Sequence, residues 1–174
     1  MKNNFINISR NIKYLPIRLK LFIMGYNIGK NFIIGRGVNI EREGFIAGNN
    51  VYIGQYSYIG SNTKIADFCM LSDNVNIIGE DHSFETVGTP IILSGRPKSV
   101  PCTILEKDVW IGHGVTIMRG ITIGEGSIIG ANSVVTKNIK SYSIYAGVPA
   151  KKIRKRFKNE SERVKHSQII NNLG

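Results

Sequence analysis

Residues 105–136 read LEKDVWIGHGVTIMRGITIGEGSIIGANSVVT, and an aliphatic residue recurs in this stretch at every sixth position. The recurring residues are Leu105, Ile111, Ile117, Ile123, Ile129 and Val135. An earlier run repeats the spacing at Ile53, Ile59, Ile65, Leu71 and Ile77, and Ile28, Ile34 and Ile40 extend it toward the N terminus with one residue inserted before Ile53. A period of six fits neither the 3.6 residues of a helical turn nor a long plain strand.

Because six is an even number, inward and outward side chains still alternate within each repeat. The inward position two residues before each aliphatic residue is small or β-branched. These residues are Ser57, Thr63, Cys69, Val75, Val109, Val115, Ile121, Ser127 and Ser133, a choice that indicates a narrow interior. Glycine or asparagine punctuates nearly every repeat, as expected where a chain turns corners. The sequence therefore predicts an all-β solenoid, a parallel β-helix of hexapeptide repeats.

These repeats resemble the hexapeptide-repeat acyltransferases with a left-handed parallel β-helix, in particular the sugar and polysaccharide O-acetyltransferases and the maltose and galactoside acetyltransferase-like group. The resemblance covers about residues 26–157. It implies three hexads per triangular coil, roughly five coils, and the left hand, which nothing else in the sequence indicates. It also implies a homotrimer whose active sites lie between neighbouring subunits.

The length and composition fit one domain with three segments. We predict an N-terminal helical or irregular cap over residues 1–27, broken near Pro16, and a β-helix over residues 28–147 with a protruding loop at residues 83–102. Residues 148–174 are predicted as a basic C-terminal helix or tail, with Ile153 and Phe157 packing inward. Two cysteines and the lack of a recognisable signal peptide favour a reduced, cytoplasmic setting.

The net charge of +11 belongs to the two ends of the chain. Residues 1–40 contain seven Lys or Arg and no acid, and residues 151–174 contain eight against two acids, whereas the solenoid between them is near neutral. This distribution argues against a nucleic-acid binder, which needs a basic surface with interleaved aromatic side chains. The basic, apolar N-terminal segment is interpreted as a cap over the first coil, or alternatively as a peripheral contact with the inner face of an anionic membrane.

The gap between the two runs of repeats is predicted to hold the catalytic residue. Its glycines and prolines indicate an excursion from the solenoid, and long loops on rigid scaffolds commonly carry function. In the resembling enzymes a histidine at the start of this loop, here His82, acts as general base on the acceptor, and a neutral imidazole suits that role near pH 7. A carboxylate would orient the ring, and Asp81, Glu85 and Glu80 are the open alternatives.

The second run of repeats carries the residues that the resemblance assigns to acetyl-CoA, the expected co-substrate. Trp110 is expected to wall the pantetheine and acceptor site, and Asn74 is a further candidate for the acceptor. The other candidates are His113, Ala131, Thr136, Lys137, Lys151 and Arg154, the last two within Gly147-Val-Pro-Ala-Lys-Lys-Ile-Arg154. Asn132 departs from the family, which commonly has glycine there. Cations with several donors suit the phosphates of CoA.

These observations predict a CoA-dependent O-acetyltransferase acting on a sugar or a lipid-linked sugar, in the biosynthesis of surface polysaccharide. The alternatives are an amino-sugar N-acetyltransferase, an antibiotic acetyltransferase and a serine acetyltransferase, and outside enzymes a non-catalytic scaffold. No metal is expected, because a zinc hydratase on this fold needs three converging histidines and the chain has only His82, His113 and His166.

Overall fold

The structure, a computed structural model, describes residues 16–79 and 81–173. Residues 16–23 form a helix, α1, and are followed by seventeen short strands and a second helix, α2, over Glu160–Asn171. Sheet A contains β1 (Asn27–Ile28), β4 (Ile46–Ala47), β7 (Thr63–Ile65), β10 (Thr103–Leu105) and β13 (Thr122–Ile123). Sheet B contains β2 (Ile33–Ile34), β5 (Tyr52–Ile53), β8 (Met70–Leu71), β11 (Trp110–Ile111), β14 (Ile128–Ile129), β16 (Ser143–Ala146) and β17 (Lys151–Lys155). Sheet C contains β3 (Asn39–Ile40), β6 (Tyr58–Ile59), β9 (Asn76–Ile78), β12 (Thr116–Met118) and β15 (Val134–Val135).

Successive strands visit the sheets in the order A, B, C, so each coil contributes one strand to every sheet. Five coils are complete, and a partial sixth ends in β16. The strands from β1 to β16 pair in parallel and in register, as when Ile53 lies beside Leu71 and Ile111 beside Ile129. This arrangement confirms the predicted parallel β-helix. The three corners are named here AB, BC and CA after the sheets that they join.

The interior of the β-helix contains the two inward positions that the repeat predicts. Every aliphatic residue of the two main runs is buried, from Ile53 to Ile77 and from Leu105 to Val135. The small or β-branched residues two positions earlier are buried as well, including Ser57, Thr63 and Ser133. Thr63 and Ser133 satisfy their hydroxyl groups by donating to the carbonyls of Gly60 and Gly130, as buried polar groups require.

Cys69 occupies one of these inward positions and is buried. Burial raises the pKa of its thiol to about 12. The Cys69 side chain is therefore protonated at neutral pH and packs as a small apolar group.

The corners require left-handed backbone, and asparagine supplies it where glycine does not. At corner BC, Asn74 (φ 59°), Gly114 (φ 67°) and Asn132 (φ 56°) adopt this conformation in successive coils. Asparagine tolerates the left-handed region better than most residues that carry a Cβ. Asn132, the departure from the family's usual glycine, therefore retains the backbone conformation of the corner.

The first coil is covered by α1, in agreement with the expected cap. Leu21 joins the hydrophobic core, the Tyr26 hydroxyl donates to the Ile40 carbonyl at 2.9 Å, and Arg42 Nη1 donates to the Met24 carbonyl at 3.0 Å. The N-terminal part of the predicted cap, residues 1–15, lies outside the described residues. Neither described helix is long and apolar enough to cross a membrane.

The basic segment after the solenoid differs from the prediction. Residues 151–155 form strand β17, which runs antiparallel to β16, and the helix begins only at Glu160. Ile153 is 63% exposed rather than packed inward, because β17 is the edge strand of sheet B and all five of its residues are exposed. Phe157 does pack, with its ring centroid 5.0 Å from that of His166 and 5.9 Å from that of Tyr142.

Candidate active site

The loop that carries His82 leaves the solenoid at corner CA. Strand β9 ends at Ile78, and the regular coil resumes at Thr103 in β10. His82 is half-buried, and its Nδ1 is buried without a hydrogen-bond partner among the described residues. Asp81 and Glu85 are both exposed, and neither bonds to His82; Glu80, the third candidate for orienting the ring, lies outside the described residues. A buried, unpartnered imidazole nitrogen is a group available for a ligand or a proton.

Hydrogen bonds between its two arms close the neck of this loop. The Ser83 amide donates to the Gly95 carbonyl at 3.0 Å, and the Ser94 hydroxyl donates to the Ser83 carbonyl. The returning arm is tied to the solenoid because Asn62 Nδ2 donates to the Val100 carbonyl at 2.7 Å. His82 therefore precedes Ser83, and both hydrogen bonds that close the loop neck hold Ser83 in place.

A buried polar cluster supports corner CA beneath the loop, and sequence reasoning missed it. The Arg119 side chain is only 2% exposed; its Nη1 lies 3.2 Å from the Ser61 hydroxyl and its Nη2 lies 3.8 Å from Glu41 Oε2. Glu41 also accepts from the Tyr58 hydroxyl and from the Ser61 amide at 3.0 Å. The pairing accommodates a guanidinium that would be costly to bury alone.

Gly79 is the glycine that this cluster requires at the loop's origin. Its φ is 131°, and a Cβ there would lie 3.0 Å from the Cβ of Arg119. The Arg119 amide donates to the Ile78 carbonyl at 2.8 Å. This bond extends the parallel pairing of β9 with β12 up to the residue before Gly79. The buried arginine and the exit of the loop are thus packed directly on each other.

Trp110 lies on the outer face of sheet B, with 45% of its surface exposed. Its Nε1 is 3.4 Å from the Ser72 hydroxyl, and its strand neighbours are Met70 and Ile128. Trp110, Met70, Ile128 and Phe68 line a groove of about 300 Å³. The indole is therefore accessible to a ligand and is not buried in the core.

Corner BC brings together three of the residues that the resemblance assigns to acetyl-CoA. The His113 carbonyl accepts from the amide of Asn132, which follows Ala131, and Lys151 pairs with Ala146 where the chain leaves β16. His113, Ala131 and Lys151 therefore follow one another along this corner, and all three are exposed. Asn74 lies on the same corner one coil before His113 and is exposed too.

The remaining predicted residues lie elsewhere on the surface. Thr136 and Lys137 follow β15 at corner CA and are exposed, so the width of sheet C separates them from Ala131. Arg154 pairs with Ile144 on sheet B, and its Nη1 donates to the carbonyls of Lys155 and Arg156 at 3.0 and 3.3 Å. Its guanidinium is exposed and turned back on the chain.

One chain keeps His82 and Trp110 apart. The loop of His82 leaves from corner CA, and in a triangular solenoid that corner is opposite sheet B, where Trp110 lies. The core of the β-helix stands between them. A site that uses both residues therefore needs two chains.

The Asp108 carboxylate holds the C-terminal segment, an arrangement that sequence reasoning also missed. Asp108 Oδ2 accepts from Arg156 Nη1 at 2.6 Å and lies 2.8 Å from Nε2 of His166 on α2. The partners are 48 and 58 residues away in sequence, so no local pattern signals the contact. No group of three or more His, Cys, Asp or Glu side chains able to hold a metal occurs among residues 16–79 and 81–173.

Comparisons with known proteins agree on the class. The family described as bacterial transferase hexapeptide (six repeats) matches residues 102–137. A probable macrolide acetyltransferase of Lysinibacillus sphaericus is 41% identical over 119 residues, which are 60% of this chain and 66% of that protein. The chain thus spans just under two thirds of this relative's length.

Two solved structures share the fold. A maltose O-acetyltransferase from Clostridium difficile 630 is 29% identical, with a TM-score of 0.63 over 76% of this chain and 70% of that chain. A single-residue variant of AntD, an N-acyltransferase from Bacillus cereus in complex with dTDP and coenzyme A, has a TM-score of 0.65 over 89% of this chain and 96% of that chain. At 24% identity the second likeness concerns the fold alone.

The coiled sheets and their repeats fit the matched hexapeptide description, and the relatives just described are acetyltransferases. The chain is therefore similar to the hexapeptide-repeat acyltransferases.

Proposed function

We propose that this protein transfers the acetyl group of acetyl-CoA to a hydroxyl group of a sugar, with His82 as the general base. The observation that carries the proposal is the half-buried His82 ring, held at the neck of an anchored loop with a buried nitrogen that no described residue occupies. The similarity to a maltose O-acetyltransferase supports a sugar acceptor. A role in surface polysaccharide biosynthesis fits such an acceptor.

The proposed reaction needs no covalent acyl-enzyme. His82 takes the proton of the acceptor hydroxyl while the oxygen attacks the thioester carbonyl carbon. The tetrahedral intermediate collapses, the bond from carbon to sulfur breaks, and the imidazolium returns its proton to the sulfur of CoA. The products are an acetyl ester and free CoA thiol, and general-base assistance of this kind contributes typically 10²- to 10⁴-fold.

The acetyl-CoA site is proposed to lie between neighbouring chains of a homotrimer. In such a trimer, His82 of one chain can lie near Trp110 of the next, although the solenoid separates the two residues within one chain. Trp110 and Asn74 would then contact the acceptor or pantetheine from one chain, next to the loop of another. His113, Ala131, Thr136, Lys137, Lys151 and Arg154 are the proposed contacts of the CoA chain.

We expect Lys151→Ala and Arg154→Ala to weaken CoA binding by roughly tenfold or more each, because a charge-assisted contact to phosphate is lost. Titration calorimetry with CoA measures the effect. Lys30→Ala is the matched control, since Lys30 is equally exposed but lies in the first coil. Unchanged CoA affinity in Arg154→Ala would remove that residue from the site.

The assay that tests the proposed function is thiol release from acetyl-CoA by the purified chain. Its acceptors are a panel of neutral sugars, sugar phosphates, amino sugars, serine, a macrolide and chloramphenicol. Release that depends on a sugar and disappears in His82→Ala supports the proposal. Measurable CoA binding with release only for an amine would make the protein an N-acetyltransferase, and no CoA binding at all would refute acetyl transfer.

A second candidate function is inactivation of an antibiotic by acetylation. It is favoured by the 41% identity to the probable macrolide acetyltransferase. Turnover of a macrolide or of chloramphenicol that exceeds turnover of every sugar in the same panel would select this function.

We further propose that the protein is cytoplasmic and contacts the membrane peripherally through its N-terminal helix. Helix α1 exposes Phe22 and Ile23 (71% and 75%) next to Arg18 and Lys20, a mixture of apolar and basic side chains that suits an anionic bilayer surface. Phe22→Ser combined with Ile23→Ser should reduce co-sedimentation with phosphatidylglycerol vesicles by at least about tenfold, because two apolar insertions are lost. Equal sedimentation of the variant and of the unmodified chain would contradict the contact.

A further inference from the structure

Arg119 spans the corner at which the protruding loop interrupts the stack of coils. The loop joins β9 to β10; corner CA of the preceding coil, residues 60–62, lies on one side of it, and that of the following coil, residues 119–121, lies on the other. The Arg119 side chain crosses from one side to the other, because its Nη1 lies 3.2 Å from the Ser61 hydroxyl and its Nη2 lies 3.8 Å from Glu41 Oε2. One side chain therefore links the coils on both sides of the loop.

Two glycines leave the space in which the Arg119 side chain lies. A Cβ at Gly79 would lie 3.0 Å from the Cβ of Arg119, and a Cβ at Gly60 would collide with Arg119 Nη2. An apolar side chain could fill this space without the cost of removing a charge from water. The arginine instead contributes directional contacts at the corner from which the loop leaves.

Residue 119 holds the end of the loop that leads to His82. Its amide donates to the Ile78 carbonyl at 2.8 Å, and its Cβ lies against Gly79, three residues before His82. Gly79 adopts a φ of 131°, which residues with a Cβ rarely do. The direction in which the chain leaves the coil is therefore set at the contact with Arg119.

The same region holds the returning end of the loop. Asn62, which follows the serine that Arg119 contacts, donates from Nδ2 to the Val100 carbonyl at 2.7 Å and accepts from the Thr103 amide at 3.0 Å. From the other side, the Gly120 amide donates to the Thr103 hydroxyl at 3.0 Å. Both ends of the loop are thus attached to the two corners that Arg119 connects.

We infer that Arg119 is a positioning residue for His82, because it holds the two ends of the loop between neighbouring coils and thereby sets where the imidazole lies. The inference rests on the proposed acetyl transfer, in which His82 is the base. A general base must lie within hydrogen-bond reach of the proton that it removes, and a displacement of about 1 Å can cost about 10²-fold in rate. Loss of the arginine should therefore lower kcat and leave the affinity for CoA unchanged.

Four variants separate positioning from stability. Arg119→Gln loses the charge and the reach of the side chain, whereas Arg119→Lys keeps the charge but not the planar group that contacts Ser61 and Glu41 together. Arg119→Lys also keeps the test decisive if Arg119→Gln does not fold. Ile53 is completely buried on sheet B, so Ile53→Val and Ile53→Ala lower stability without removing a contact of the loop. Urea denaturation identifies the Ile53 variant whose stability matches that of each Arg119 variant.

The first readout is thiol release at saturating acetyl-CoA and acceptor. We expect kcat to fall by about 10- to 100-fold in Arg119→Gln and by a smaller factor in Arg119→Lys. The matched Ile53 variant should keep the kcat of the unmodified chain. Calorimetry with CoA should give the same Kd for all of these chains.

The second readout does not depend on acetyl transfer. Lys98 is exposed on the returning arm and is followed by Ser99, so trypsin can cut the bond between them. Cleavage of this bond in the folded chain, followed by mass spectrometry, should be faster in both Arg119 variants than in the matched Ile53 variants, because local opening of the loop becomes easier.

The inference is overturned if either kcat or the cleavage rate of the Arg119 variants equals that of the matched Ile53 variants. Failure of the proposed function would be seen separately, as full thiol release by His82→Ala or as no binding of CoA. In that case the cleavage rate alone decides whether Arg119 positions the loop.

Discussion

His82→Ala is expected to reduce acetyl transfer by about 10²- to 10⁴-fold while CoA binding stays nearly unchanged. The variant removes the base that takes the proton from the acceptor, but His82 is at the loop neck and not among the residues proposed to hold the phosphates of CoA. Thiol release at saturating acetyl-CoA gives the rate, and calorimetry with CoA gives the affinity. Thr86→Ala, an exposed position in the same loop, is the control and should retain full activity.

The same variant tests whether the site is shared between chains. In mixed oligomers of His82→Ala and Arg154→Ala chains, one kind of interface combines an intact His82 with an intact Arg154. Co-expressed chains, assayed at an acetyl-CoA concentration too low to saturate Arg154→Ala, should therefore be more active than either variant alone. A mixture no more active than Arg154→Ala alone would contradict a composite site, and full activity of His82→Ala would remove the base from the mechanism.

Ile111→Ala is expected to lower the free energy of unfolding by about 2–5 kcal/mol. Ile111 is completely buried, and its neighbours Leu71 and Ile129 are buried in the coils on either side, so the structure has little freedom to close the cavity. Denaturation in urea, with all chains at equal concentration, measures the change.

Ile92→Ala is the matched control for this substitution. Ile92 is 76% exposed on the loop, so its truncation should change the free energy of unfolding by no more than about 0.5 kcal/mol. A loss in Ile111→Ala no larger than that of the control would mean that the interior repacks freely, contrary to the close stacking of the coils.

The solenoid was predictable because every hexad repeats the same pattern of inward and outward side chains. Burial of Ile59 or Ser127 follows from period and alternation alone, and the structure confirms both. The seven-residue step between Ile40 and Ala47 is absorbed at corner CA, where Gly44 takes a φ of 65°. The repeat period was enough to predict burial wherever a residue contacts others at a fixed separation along the chain.

The prediction failed where pairing depends on the tertiary structure. Ile153 and Phe157 have helical spacing, yet β16 offers a free sheet edge that residues 151–155 complete as a strand. The buried Arg119 and its partner Glu41 are equally beyond local reasoning, since they meet only through the stacking of non-adjacent coils.

The candidate site was predictable in its residues more than in its geometry. Family motifs named His82, Trp110 and Arg154, but the sequence does not say that the first two lie on opposite sides of one chain. Their roles stay predictions until the variants above are measured.

The antiparallel strand β17 also controls growth of the molecule along its own axis. A stack of parallel coils ends in unpaired amides and carbonyls that a further copy could extend without limit, in the manner of a fibre. On sheet B that end is occupied by β17, which runs antiparallel to the other strands and bears Lys151, Lys152 and Lys155. A strand from a further copy could not continue the parallel pairing there and would lie beside a row of positive charges. The reversal of five residues thus closes sheet B to further parallel strands at the C-terminal end of the stack.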